Sequence, residues 1–126
     1  MTRINCIPPS ELTREHLVAE YRELPRVFSM VLGAVERGAT NPATMDIPAT
    51  YRMGTGHMKF FANKLGYLVK RQKALIAEMQ ARGYNPTHTN PDNLLTNIPE
   101  IFHGDWEPDA EALRISRARI AERLNG

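Results

Sequence analysis

The sequence predicts an all-α fold, a compact single domain of three main helices with irregular connections. Two observations predict the class. Apolar residues recur at steps of three and four over long stretches, and no stretch alternates apolar and polar residues as a half-buried strand would. Length adds a bound: 126 residues suffice for one hydrophobic core but not two, so residues 1–126 read as one domain.

The first helix is expected from Thr13 to Arg37. Leu17, Tyr21, Leu24, Phe28, Val31 and Val35 fall on one helical face. Thr13 is a suitable N-cap and Gly38 a suitable stop. Pro25, in the middle, deletes a backbone hydrogen bond and predicts a kink. "ATNPATMDIP", residues 39–48, reads as loop, and "MGTGHMKFF" as a glycine-containing turn followed by a short helical segment. The second long helix is expected from about Asn63 to Arg82, with Leu65, Leu68, Val69, Gln72, Leu75, Ile76 and Met79 as its stripe and Gly83 as its cap. Residues 84–106 hold several Pro, Asn and Thr and read as an ordered but irregular connection, with Trp106 as an anchor rather than a stacking platform. The third helix is expected from Pro108, a favoured first position, to Leu124, with Leu113, Ile120 and Leu124 facing inward.

Composition excludes several classes. No apolar run approaches the roughly 20 residues of a membrane span. The polar "TRIN" and "PPSELTREH" lack the apolar stretch of a signal peptide. Cys6 stands alone, which excludes a disulfide framework and a thiolate zinc site. His57, His88 and His103 lack metal-ligand spacing, and "GTG" lacks the pattern of a phosphate loop. A soluble intracellular protein is expected.

The net charge of +2 conceals a segregation. Residues 51–82 carry Arg52, Lys59, Lys64, Lys70, Arg71, Lys73 and Arg82 against the single acid Glu78, while both flanks are mixed or acidic. Such a run is either an electrostatic footprint for nucleic acid or a solvated helix face. In "HLVAEYRELPRVF", His16, Glu20 and Glu23 share one flank of the helix, with Arg22 and Arg26 one turn apart further round. Taken alone, these form either a salt-bridge network or a reactive cluster. The opening "MTRIN" matters here, because a small residue after the initiator methionine permits methionine removal. The α-amine then freed at Thr2 is a nucleophile built into the backbone.

The segments "MTRIN", "SEL", "AEYRELPRVF", "GTGHMKFF", "KLGYLVKRQ", "LIAEM" and "RGYN" closely resemble the pyrimidine-dimer DNA glycosylases, the T-even phage endonuclease V type. The resemblance runs from Met1 to about Arg123. It implies an all-α fold of three helices and a DNA repair enzyme with two coupled steps: excision of the 5′ pyrimidine of a cis-syn cyclobutane dimer, then strand cleavage by β-elimination as an AP lyase. It implies catalysis by the α-amine of Thr2, through an imine, and by Glu23. Arg3, His16, Arg22 and Arg26 are implied to line a DNA-facing cleft, with Arg119 and Arg123, and also Arg71 and Arg117, as further candidates for backbone contacts. The implied partner is double-stranded DNA containing damaged pyrimidines, bound by a monomer, with the adenine opposite the dimer moved into a protein pocket. The resemblance also implies no metal or cofactor and a cytoplasmic setting, cellular or, for a phage-encoded protein, that of the host.

Two departures from the family pattern stand out. The phage enzymes continue past the third helix with an aromatic, lysine-bearing tail, where this chain reads "AERLNG". Their basic loop after the first helix is here "LGAVERGATNPATMD", with one Arg against two acids. Both lower positive potential and predict weaker, more salt-sensitive scanning. Two other readings stay open at this point: a glycosylase/AP lyase acting on another damaged base or abasic site, and a non-catalytic DNA-binding module on the same scaffold.

Overall fold

The computed structural model describes residues 2–125, apart from the side chain of Asn125. The expected removal of Met1 lies outside these residues. In chain order the helices are α1 (Arg14–Glu23), α2 (Pro25–Glu36), α3 (His57–Phe60), α4 (Leu65–Ala81) and α5 (Ala110–Asn125), with single 3-10 turns at 9–11, 42–44, 91–95 and 100–102. No strand occurs among the described residues, so the all-α expectation holds.

The first expected helix is one rod broken in two. Thr13 caps it as anticipated, its hydroxyl accepting the His16 N–H at 3.2 Å. Leu24 N–H still reaches Glu20 O at 2.9 Å, but Pro25 has no N–H to continue the ladder and becomes the first residue of α2. Gly38, at φ +104°, ends the rod with two closing bonds, Gly38 N–H to Val35 O and Ala39 N–H to Ala34 O, both 3.0 Å. Gly83 ends α4 in the same way, with Tyr84 N–H reaching back to Met79 O at 2.8 Å.

Two helix starts and one inward-facing residue differ from expectation. α4 starts at Leu65 rather than Asn63. α5 starts at Ala110, because Asp109 supplies the cap by accepting the Ala112 N–H at 2.8 Å, and Pro108 stands just outside it. Leu124 does not face inward: it is 59% exposed. Residues 121–124 are all exposed, so the last turn of α5 has left the core, whereas Ile120 one turn earlier is buried.

α4 is the central element, burying Leu65, Leu68, Val69, Leu75, Ile76 and Met79 against α1 and the turns at 9–11 and 91–95. Its first turn is pinned by the 98–106 segment. Tyr67 N–H donates to Gly104 O, and Gly104 N–H to Asn63 O, both at 3.1 Å. The approach is so close that a Cβ at Gly66 would lie 2.6 Å from His103 O. Trp106 anchors this segment, stacked on Tyr51 at 5.9 Å between centroids and edge-on to Phe60 at 5.2 Å.

The amino-terminal segment is part of the core. Thr2, Ile4, Asn5, Cys6 and Ile7 are all buried. An extended strand of backbone inside a helical protein must find partners for its N–H and C=O groups, and side chains from several elements supply them. Ile4 N–H donates to His57 Nε2 and Ile4 O accepts from Tyr51 OH, both at 2.8 Å. Cys6 N–H donates to Ser116 Oγ on α5 at 3.3 Å. Arg71 Nη1 donates to Ile7 O.

Arg71 and Glu20 therefore do not sit where the sequence reading put them. Arg71, a candidate for DNA backbone contact, is buried, and Glu20 is fully buried beneath α1. Arg71 Nε and Nη2 donate to the Glu20 carboxylate at 2.7 and 3.1 Å, and Asn5 Nδ2 donates to it at 2.9 Å. Burial by itself lowers the Arg71 pKa, yet the Glu20 charge and hydrogen bonds hold it above the ordinary value. The physical reason is position. Glu20 lies between Leu17 and Leu24 on the stripe of α1, and Arg71 between Leu68 and Leu75 on the stripe of α4.

Candidate active site

Glu23 ends α1 and Arg26 lies in the first turn of α2. The Pro25 break leaves them one turn apart, with Arg26 Nη1 3.5 Å from Glu23 Oε2. The same Nη1 donates to the Thr2 hydroxyl at 3.4 Å. One guanidinium thus links the second residue of the chain to the carboxylate. Such a partly exposed pair adds less than about 1 kcal/mol to stability, so its interest is positional.

Thr2 is only 6% exposed, held from below by the bonds to Ile4, and it lines a cleft of about 580 Å³. Arg3 lines it too, as do Met30 of α2, Asp46 to Pro48, and the turn from Arg52 to Lys59. That turn is shaped by Gly54 and Gly56, at φ +72° and +89°. The "GTG" motif is therefore a tight turn beside the cleft, as its composition suggested.

The electrostatics of the cleft are cationic. Burial lowers the Arg3 pKa, and the neighbouring Arg119 and Arg123 guanidiniums lower it further, while Glu23 opposes them. The end of α5 thus approaches the amino-terminal segment, and the structure gathers Thr2, Arg3, Glu23, Arg26, Arg119 and Arg123 into one region. Arg119 also lies 3.7 Å from Glu122, and its buried Nε has no partner among the described residues. His57, behind Thr2, donates from Nδ1 to Arg52 O at 2.7 Å and accepts at Nε2, so its ring is neutral. Burial lowers its pKa, with Arg3 pushing the same way and the Arg52 carbonyl opposing.

The other expected residues are placed differently. His16 is half-buried, its Nδ1 2.8 Å from the Thr13 hydroxyl, and it makes no hydrogen bond to Thr2 or Glu23. Arg117 is engaged by Glu11 at 3.1 and 3.0 Å. Arg22 is exposed on the rim of a second cavity of about 630 Å³. Tyr21 and the 87–94 segment form that cavity, tied together where His88 N–H donates to Tyr21 OH at 2.8 Å. Gln72 Nε2 donates to Tyr21 O at 2.9 Å, and the buried Gln72 Oε1 has no partner among the described residues. Sequence reasoning missed His57, Tyr51 and Asn5 as supports of the amino-terminal segment. No periodicity marks them, because their partners are backbone groups of an extended stretch.

The fold and this region define a class: a helical protein whose second residue is embedded beside a carboxylate in a cationic cleft. A family model described as pyrimidine dimer DNA glycosylase matches residues 1–92, and the chain belongs to that family. A DNA substrate and a DNA repair glycosylase role go with that membership. The match spans Thr2, Glu23 and the Arg22–Arg26 pair but not α5. Among the described residues, no group of three or more His, Cys, Asp or Glu is placed to hold a metal ion, and no helix is long and apolar enough to cross a membrane.

Proposed function

We propose that this protein excises the 5′ pyrimidine of cis-syn cyclobutane dimers in double-stranded DNA and then cuts the strand as an AP lyase, with the α-amine of Thr2 as nucleophile. Removal of Met1 frees that amine. The observation carrying this reading is the Arg26 guanidinium, which lies 3.4 Å from the Thr2 hydroxyl and 3.5 Å from the Glu23 carboxylate, while Thr2 itself lines the cleft.

The chemistry follows from these groups. An α-amine has an ordinary pKa of about 7.7–8.0, so a useful fraction is neutral near pH 7. The guanidiniums of Arg3 and Arg26 disfavour the ammonium form and lower that pKa. The amine nitrogen bonds to C1′ as the glycosidic C–N bond breaks; the freed base takes up a proton and stays joined to its 3′ neighbour through the cyclobutane ring. Opening of the sugar ring gives a protonated imine. The imine makes the C2′ proton acidic; its loss drives cleavage of the C3′–O bond and departure of the 3′ phosphate. Water hydrolyses the remaining imine and releases the enzyme. Glu23 stabilises the cationic sugar and shuttles protons, a role that suits a carboxylate linked through Arg26 to Thr2.

Arg3, His16, Arg22, Arg26, Arg119 and Arg123 bind the duplex backbone, positioning it without reading sequence. The cavity beside Arg22 receives the base opposite the lesion. The protein acts as a monomer and without a cofactor.

Borohydride reduction tests the proposal. Incubation with dimer-containing or abasic duplex plus borohydride is expected to trap a covalent protein–DNA adduct. An uncleavable amino-terminal extension is expected to abolish both adduct and nicking. Persistence of both in the extended protein would remove the Thr2 amine from the chemistry. Comparing irradiated, oxidised and abasic duplexes ranks the lesions.

A further inference from the structure

The Thr2 cleft has a wall that the reaction above leaves unused: the turn carrying Arg52 and Lys59. Both side chains are exposed, and neither has an ion-pair or hydrogen-bond partner among the described residues. This separates them from most cations of the same basic stretch. Lys70 is paired with Asp105, Lys73 with Asp92, Arg82 with Glu78 and Arg71 with Glu20. Lys64 is turned onto Phe60 O and Asn63 Oδ1, at 2.9 Å each. A cation with an acid against it offers little net charge to an anion. An unpaired one beside a concave wall projects its field into the cleft.

The turn holds the pair in place. Arg52 is fixed through its carbonyl by His57 Nδ1. Its side-chain stem lies over Gly56, where an added Cβ would stand 3.4 Å from Arg52 Cδ and 3.1 Å from Pro48 Cγ. Lys59 follows on α3. The stretch 38–50 supplies no cation to the cleft and contributes only the charge of Asp46. Two free cations on one wall of a cleft entered beside Thr2 suit a chain of phosphodiesters: a guanidinium fork for one group, an ammonium point charge for the next.

We infer that Arg52 and Lys59 form a phosphate-binding wall for the lesion strand, holding the phosphodiesters next to the sugar that Thr2 attacks; the choice of strand rests on the reaction proposed above. Binding by fluorescence anisotropy to a duplex with a single tetrahydrofuran abasic analogue, titrated with salt, tests it. Each phosphate contact contributes about 0.9 to the slope of log affinity against log salt. The slope is expected to flatten by about that amount in Arg52→Gln and in Lys59→Gln, and by about twice that in the double variant. Lys70→Gln, whose charge is already paired, is expected to keep the wild-type slope. A double variant with the wild-type slope overturns the inference. Methylphosphonates at the two phosphates flanking the analogue, in the lesion strand, are expected to erase the difference between wild type and double variant. A difference that survives there overturns the strand assignment. Borohydride trapping by the wild type reads the nucleophile independently, so a flattened slope without any adduct would sink the amine mechanism while leaving the phosphate wall standing.

Discussion

Glu23 and Thr2 are joined by one guanidinium, and their roles separate under substitution. Glu23→Gln keeps the shape and removes the charge. Duplex affinity is expected to stay near wild type while nicking at saturating duplex falls by at least about 100-fold, the usual scale for losing a positioned acid/base. Unchanged turnover would take Glu23 out of the chemistry. Thr2→Ala keeps the amine and removes only a hydroxyl that accepts a long 3.4 Å bond from Arg26. Borohydride trapping is expected to persist in that variant, and its loss would assign the hydroxyl a direct part. Thr2 and Glu23 were legible because they stand in "MTRIN" and "YRELPR", the segments that carry the family resemblance. Arg26 as their link was not legible, since spacing places it one turn from Glu23 but says nothing of the amino terminus.

At the scale of elements, the amino-terminal segment is placed by two devices, and each has its own signature. The first is the Glu20–Arg71 pair with Asn5 and Ile7 O. Glu20→Ala strands a buried guanidinium and is expected to cost about 3–5 kcal/mol in urea unfolding, whereas replacing both partners by Met and Leu costs far less. Equal losses in the two variants would contradict this. A sequence signal did exist: opposite charges occupy stripe positions on two helices, which surface-network reasoning overlooked. The second device is His57, with Arg52, Arg3 and Tyr51 around it. Burial holds its folded pKa below the ordinary value, so the unfolded chain binds the proton more readily. Its contribution to stability is fully present above about pH 6.5 and is lost as pH falls through the depressed folded value. His57→Gln is expected to remove that acid limb from the stability profile; a limb of wild-type size in the variant would assign it to other groups. The long helices themselves were readable from their stripes and glycine stops. The Leu65 and Ala110 starts were not, because the 98–106 crossing and the Asp109 cap set them.

Across the whole molecule, the basic middle of the sequence turns out to be two different things. Most of its cations are held in internal pairs, and among the described residues only Arg52 and Lys59 of this stretch remain open, on the wall of the Thr2 cleft. A charge count along the chain cannot separate these, because their acid partners, such as Asp92 and Asp105, come from distant segments. Lys73→Gln is therefore expected to leave duplex affinity within about twofold of wild type at fixed salt, since a paired surface charge contributes little to counterion release; a large drop measured by anisotropy would revive the broad basic face. The positive potential instead converges on the amino terminus from three places: Arg3, the end of α5 with Arg119 and Arg123, and the 52–59 turn. That convergence supports the proposed role of the Thr2 amine, since cations around it disfavour its ammonium form and attract a polyanion. The most direct measurement is the site of covalent attachment: trap the reaction with borohydride, digest protein and DNA, and locate the modified residue by mass spectrometry. The expected result is a peptide that begins at Thr2 and carries the sugar remnant on its α-amine. An adduct on a lysine, or a peptide still beginning at Met1 from protein that nicks DNA, would contradict it.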